Sequence, residues 1–326
     1  MTSTTQAVAA APLPPAAPRR DESSASWRLT DRLGLAFAWF LGVLFCVITA
    51  AIVLYLFVQG IRYLRPSLLV TNPTAGYSES QTGGFFDPLL DTVVIAVMSM
   101  AIAVPVGIAI AVWLSEFGRP AVLARVVEST IEMLAGTPSI LLALFGTLLF
   151  EAPWLGFLSR TSGDVVFGRS FFAAAAMLSL LALPLVVSSV REGLQAIPSH
   201  VREASYAVGK TKSTTTRRVL LPAARPSVLT GSMLGLGRVI GDTAIVVLLL
   251  GNTLTNDPSG SVPILSALRG TGSTLTSYVY YNAPTGDGDQ PGKAYAAAFV
   301  LLLMVLALNV GVDVVGRRGG ELRWNS

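Results

Sequence analysis

The chain has 326 residues, of which 52% are hydrophobic and only 13% charged, with 23 Lys and Arg against 19 Asp and Glu. An ordinary soluble domain carries about 25% charge, and a mean hydropathy of +0.63 leaves too little polar surface to disperse a soluble fold of this size. One Cys and one His exclude a disulfide framework and a zinc cluster, and a net charge of +4 gives no footing for nucleic acid.

Residues 1–26 are rich in Ala, Pro, Ser and Thr with no periodic apolar face, and read as a disordered cytoplasmic tail ahead of a membrane body over 27–316. Uncharged runs follow: Leu33–Ile61 with 29 residues, Thr92–Ser115 with 24, Met133–Phe150 with 18, Ser170–Val190 with 21 and Ala294–Val312 with 19. Each is close to or above the roughly 20 apolar residues that cross about 30 Å of hydrocarbon. Pro226–Asn256 is interrupted only by Arg238 and Asp242. The expectation is an all-α membrane protein with six transmembrane helices near 33–59, 89–114, 134–157, 170–190, 228–251 and 294–315, and a short cytoplasmic tail over 317–326. The first run is about twice the length of a signal-peptide core, so it is expected to be a retained span, with Cys46 in it acting as a small apolar residue. Pro138 and Pro153 crowd the third span.

The basic residues set the orientation. Arg19, Arg20, Arg28, Arg32, Arg119, Arg125, Arg317, Arg318 and Arg323 fall on the side of the termini, with seven more in the loop 191–226. Arg62, Arg65, Arg160, Arg169, Arg269 and Lys293 fall opposite. An excess of Lys and Arg marks the cytoplasmic face, which places both termini and the loop 191–226 in the cytoplasm. Within that loop a short helix is expected from Pro198-Ser199, with Ser199 as cap and Glu203 in its early turns, closed by Gly209. A second, over Ser213–Leu221, has its own hydroxyl cap and stops at Pro222. His200 lacks a paired ligand and reads as solvated surface. The loop 252–293 is rich in Gly, Ser, Thr and Asn and reads as an outer connector, although its Ser277–Tyr281 cluster could meet an extracytoplasmic protein.

One motif adds a family reading. Glu203-Ala204-Ser205, three residues, Gly209, nine residues and then Val219-Leu220-Leu221-Pro222 resembles the Glu-Ala-Ala motif of the permeases of ABC importers, with Ser205 in place of the second Ala and Val219 in place of Ile. Gly237-Arg238-Val239-Ile240-Gly241-Asp242-Thr243-Ala244 is similar to the Arg-x-x-Gly-Glu-Thr-Ala element of the phosphate-specific (Pst) permeases, and the Thr-Ala ending resembles the PstA type more than PstC. Residues 85–250 carry this resemblance. Asp242 departs from the family Glu, and Asp91-Thr92 replaces a common Gly-Thr.

The resemblance implies the type I importer permease fold, one of two paired permeases (the other PstC-like) that move inorganic phosphate inward by alternating access. It implies that Glu203, Ala204, Ser205, Gly209, Val219, Leu221 and Pro222 dock on a separate ATPase dimer, which holds ATP and Mg. It also implies an extracytoplasmic phosphate-binding protein as donor and a bacterial inner-membrane location. No G-x-x-x-x-G-K-[ST] loop occurs in this chain, so no hydrolysis of its own, and no cofactor, is expected.

Arg238 and Asp242 are four apart, which would place them on one helical face. Each costs about 2.5 to 3.5 kcal/mol at a helix centre, so they either pair to fix packing or line an anion path with Thr243. A guanidinium fork suits phosphate, and it suits sulfate or molybdate equally. Asn252 is a weaker candidate for the same path. A passive channel or anchor is the rival from another class, and a membrane-embedded enzyme is a further one. The latter would have to be built with one His and one Cys.

Overall fold

The computed structural model describes residues 29–73, 83–159, 161–162, 165–251, 267–284 and 290–318. The expected tail 1–26, Asn252, nearly half of the loop 252–293 and the last eight residues lie outside them. The helices are α1 (Leu29–Tyr63), α2 (Phe86–Val112, continued by a π turn over Trp113–Phe117), α3 (Ala121–Gly136) and α4 (Ser139–Phe150). They continue with α5 (Phe171–Gln195), α6 (Ser199–Ala207), α7 (Lys212–Ala223), α8 (Arg225–Ile240), α9 (Leu275–Asn282) and α10 (Pro291–Arg318). Among the described residues the only sheet is a two-residue hairpin pairing Thr161–Ser162 with Val165–Val166.

The chain divides after Leu54. Up to that point α1 is apolar around its circumference and exposed all round, the character of a span that meets lipid or a partner rather than a core. From Tyr55 onward the helix belongs to the main body, where Phe57 meets Phe299 edge-on and Tyr63 stacks on Tyr295.

That body is built around α5. Of its most apolar 18-residue stretch 72% is buried, against 28% for α2 and 11% for α10. Small residues make this possible: Ala173, Ala174, Ala175 and Ala182 are fully buried, and α2 and α8 pack against α5. Among the described residues four helices are long and apolar enough to span alone, and two bent pairs raise the number to six.

Helix breaks at Thr137-Pro138 and after Ile240 correct the expected continuous third and fifth spans. α3 and α4 meet at 107°. Pro138 has no N–H to continue the ladder and forces Thr137 into an extended conformation, ψ 127°. The expected span 134–157 therefore becomes the end of α3, the 12-residue α4 and a 3-10 turn over Pro153–Leu158. In the fifth span α8 stops at Ile240, and the chain resumes helical form at Ala244, running into the π turn Val246–Leu250.

The outer connector is also corrected. Its described part contains α9, opened by a capping box in which Thr274 Oγ1 accepts from the Ser277 amide and Ser277 Oγ accepts from the Thr274 amide. Leu275, Ser277 and Tyr278 are buried there, with Phe85, Ala296 and Ala297 in the same cluster.

Candidate functional site: the coupling segment and the end of α8

The segment after α5 takes the helix–turn–helix form expected of it, with two changes at the caps. Pro198 occupies the cap position of α6 and makes no side-chain bond, so Ser199 is the first helical residue and does not cap. The hydroxyl that caps α7 is that of Thr211, which accepts from the Thr214 amide. Gly209, at φ +78°, closes α6. A residue with a Cβ is strained in this left-handed region, and glycine is not. Pro222 does not stop α7, which runs to Ala223 through a π turn over Thr216–Leu220.

The motif residues divide between two faces. Glu203, Ala204 and Gly209 are exposed, next to the exposed apolar side chains Tyr206 and Val208. Ser205 points inward, and its hydroxyl lies 2.8 Å from that of Thr215, which joins α6 to α7. Val219, Leu221 and Pro222 are half-buried around the fully buried Leu220. His200 is exposed.

Sequence reading missed the residue that seats α6. Arg202 donates through Nε and Nη2 to Glu116 Oε1, both at 3.2 Å. It also donates through Nη1 to the Ile197 carbonyl and through Nη2 to the Leu194 carbonyl, both at 2.7 Å. Nearby, Arg191 of α5 pairs with Glu128 of α3. A separation of 86 residues between Glu116 and Arg202 hid the contact.

At the other end of the molecule the expected pair is not formed. α8 ends at Ile240, so Asp242 falls outside the helix that carries Arg238, and the four-residue spacing no longer puts them on one face. Asp242 is buried, and its Oδ1 accepts from the Ile245 amide at 2.8 Å, capping the following helical turn. Arg238 is exposed and makes neither a hydrogen bond nor an ion pair among the described residues. Thr243 is half-buried. Arg238 stands 13 residues along α8 from Arg225, about 20 Å at 1.5 Å per residue, well inside the thickness of a bilayer.

A third cluster ties α2 to the outer segment. Asp91 Oδ2 accepts from the Ser273 amide at 3.0 Å, and Thr92 Oγ1 accepts from the Leu275 amide at 2.9 Å. Thr276 Oγ1 donates to the Ile240 carbonyl at 2.8 Å, securing the same segment to the end of α8. Asp91, the one residue of the two that departs from Gly-Thr, and Thr92 are thus the acceptors for this segment. Asp91→Ala leaves a buried amide without its charged acceptor, at a cost of about 1–3 kcal/mol. The expected result is a lower melting temperature in detergent and faster cleavage of residues 267–284 by a protease added outside.

The family model described as "Binding-protein-dependent transport system inner membrane component" matches residues 103–319, two thirds of the chain. The chain belongs to this family. Among its relatives is the phosphate transport system permease protein PstA 1 of Mycobacterium tuberculosis (strain CDC 1551 / Oshkosh), 33% identical over 237 residues that cover 73% of this chain and 72% of the relative. A PstC of Xylella fastidiosa (strain 9a5c) is 30% identical, covering 68% and 69%. A PstC of Mesorhizobium japonicum is 29% identical and covers 91% and 94%. In fold, this inner membrane component is similar to a chain of a bacterial ABC transporter involved in the import of alginate, with a TM-score of 0.58 at 16% identity over 90% of this chain and 99% of that one. It is similar as well to a chain of the MetNI methionine ABC transporter, with a TM-score of 0.51 at 21% identity over 72% and 93%. It is therefore a helical importer-type membrane subunit, and its relatives are named as permease proteins.

Proposed function

We propose that this chain is the permease subunit of an ATP-driven importer that carries inorganic phosphate into the cytoplasm, working beside a second, PstC-like permease. In this reading the exposed face of α6 and α7 docks on a separate ATPase dimer, which supplies ATP and Mg, and an extracytoplasmic phosphate-binding protein loads the outer side. Both termini then lie in the cytoplasm, as the basic asymmetry favours. The Thr243-Ala244 ending and the 33% relative favour the PstA position of the pair.

The observation that carries the reading is Arg238. A guanidinium without a partner among the described residues, about 20 Å along a membrane helix, is costly in lipid and useful beside an aqueous path for an oxyanion. Its planar donors can take two phosphate oxygens at once, while a site of exchangeable contacts releases the ion again. Asp242, held in its own cap, is not available to neutralise it.

The test is uptake of radiolabelled phosphate by proteoliposomes holding the full complex with its binding protein. ATP-dependent uptake that resists excess sulfate and molybdate is the expected result. Competition by either anion would assign the path to that oxyanion, and uptake without ATP would assign it to a channel.

A further inference from the structure

We propose that Glu116 and Arg202 form a fixed joint between the coupling segment and the ends of α2 and α5, and that both act as positioning residues for energy coupling. The inference rests on the importer reading above and adds to it the path by which movement at the ATPase reaches the membrane.

The joint follows from local chemistry. A helix leaves its last carbonyls without intrahelical donors, and Pro198, four residues after Leu194, has no N–H to give. The Leu194 carbonyl therefore needs a donor from elsewhere, and the negative end of the helix dipole favours a cation. Arg202 supplies it at 2.7 Å, while reaching the Ile197 carbonyl at 2.7 Å. The rest of its fork holds the carboxylate of Glu116, at 3.2 Å from both Nε and Nη2. The side chains are 22% and 6% exposed for Arg202 and Glu116, so water competes little for the contact.

Glu116 lies in the π turn Trp113–Phe117 that ends α2. Such a turn inserts a residue and re-aims the side chains after it. Two further ties make the segment one body. The Ser205 and Thr215 hydroxyls link α6 to α7 at 2.8 Å, and Lys212 Nζ sits 5.2 Å over the Phe117 ring, linking α7 to α2. A push on α6 therefore reaches α2 and α5 together, with no flexible linker between. A two-state element biased at one end and read at the other is what coupling requires.

The experiment compares wild type with Glu116→Gln, Arg202→Lys and the double variant in the complete complex in proteoliposomes, reading phosphate moved per ATP hydrolysed. Gln keeps the shape without the charge, and Lys keeps the charge without the fork. The joint predicts that each single variant lowers the ratio by roughly threefold or more, with the ATPase still bound and still hydrolysing, and that the double variant falls no further than the worse single. An unchanged ratio in both singles overturns the proposal. So does a parallel loss of uptake and hydrolysis, the mark of a merely structural contact. If Glu116→Gln does not assemble, Glu116→Asp keeps the charge at shorter reach and is judged by the same ratio. Failure of the importer reading looks different: the wild-type complex itself would hydrolyse ATP without moving phosphate.

Discussion

Gly107→Leu is expected to abolish accumulation of the folded protein. A Cβ at position 107 would lie 2.7 Å from Val186 Cγ1, 3.0 Å from its Cβ and 3.7 Å from the Val187 amide. Val186 is fully buried and has no room to retreat. From the other side α8 presses on the same residue, because a Cβ at Gly231 would be 3.2 Å from Val186 Cα and one at Gly235 would be 3.5 Å from its Cγ2. α5 is thus wedged between the close faces of α2 and α8, and an added side chain must push apart the helices that form the core. Overpacking by a few methylenes costs about 1–3 kcal/mol where a core yields partially. A full isobutyl group in a seam closed on both sides exceeds that. The measurement is membrane yield and thermal melting in detergent. Gly107→Ala combined with Val186→Ala should recover part of the loss, since the nearest obstruction is a side chain. A Leu variant that melts like wild type would show that α2 and α5 do not meet at this point.

Arg238→Ala is the second large effect, and it separates transport from assembly. The side chain is exposed and makes neither a hydrogen bond nor an ion pair among the described residues, so its removal takes little from the fold. Phosphate uptake in proteoliposomes should fall to background while the subunit still co-purifies with its partners and the complex still binds ATP. Arg238→Lys should recover only part, because an ammonium supplies charge without two parallel donors. Full uptake by the Ala variant would remove Arg238 from the anion path.

The apolar runs of the sequence carried most of the architecture, since a bilayer demands length and hydropathy and both can be counted. The same is true of the seam: Ala103, Gly107 and Ala111 stand out at a spacing of four, and all three are buried along α2. The bend at Thr137-Pro138 was legible as a proline but not as a 107° turn, because the angle depends on what α3 and α4 pack against. α9 was hidden by its own start signal, in which two hydroxyls rather than an acid close the cap, so that the segment shared its composition with a loop.

The candidate site was legible in part. Motif spacing placed Glu203, Ala204 and Gly209 on a segment whose exposed face they share. It could not show that Ser205 turns inward, nor that Arg202, one residue before the motif, does the anchoring. The first depends on Thr215 of α7, and the second on Glu116 at the end of α2, 86 residues earlier. The expected Arg238–Asp242 pair failed for a local reason. The four-residue rule assumes a helix through both residues, and here the helix ends between them.

The hold of Asp91 and Thr92 on the outer segment has a consequence for biogenesis. Their partners, Ser273 and Leu275, come 182 and 183 residues later. During synthesis α2, and the helices α3 to α8 after it, are therefore made before these two amides exist. Closure waits until Ser273 and Leu275 have been made. A product truncated before residue 273 would lack the two amides from which Asp91 and Thr92 accept. That gives surveillance proteases a chemical difference between finished and unfinished chains.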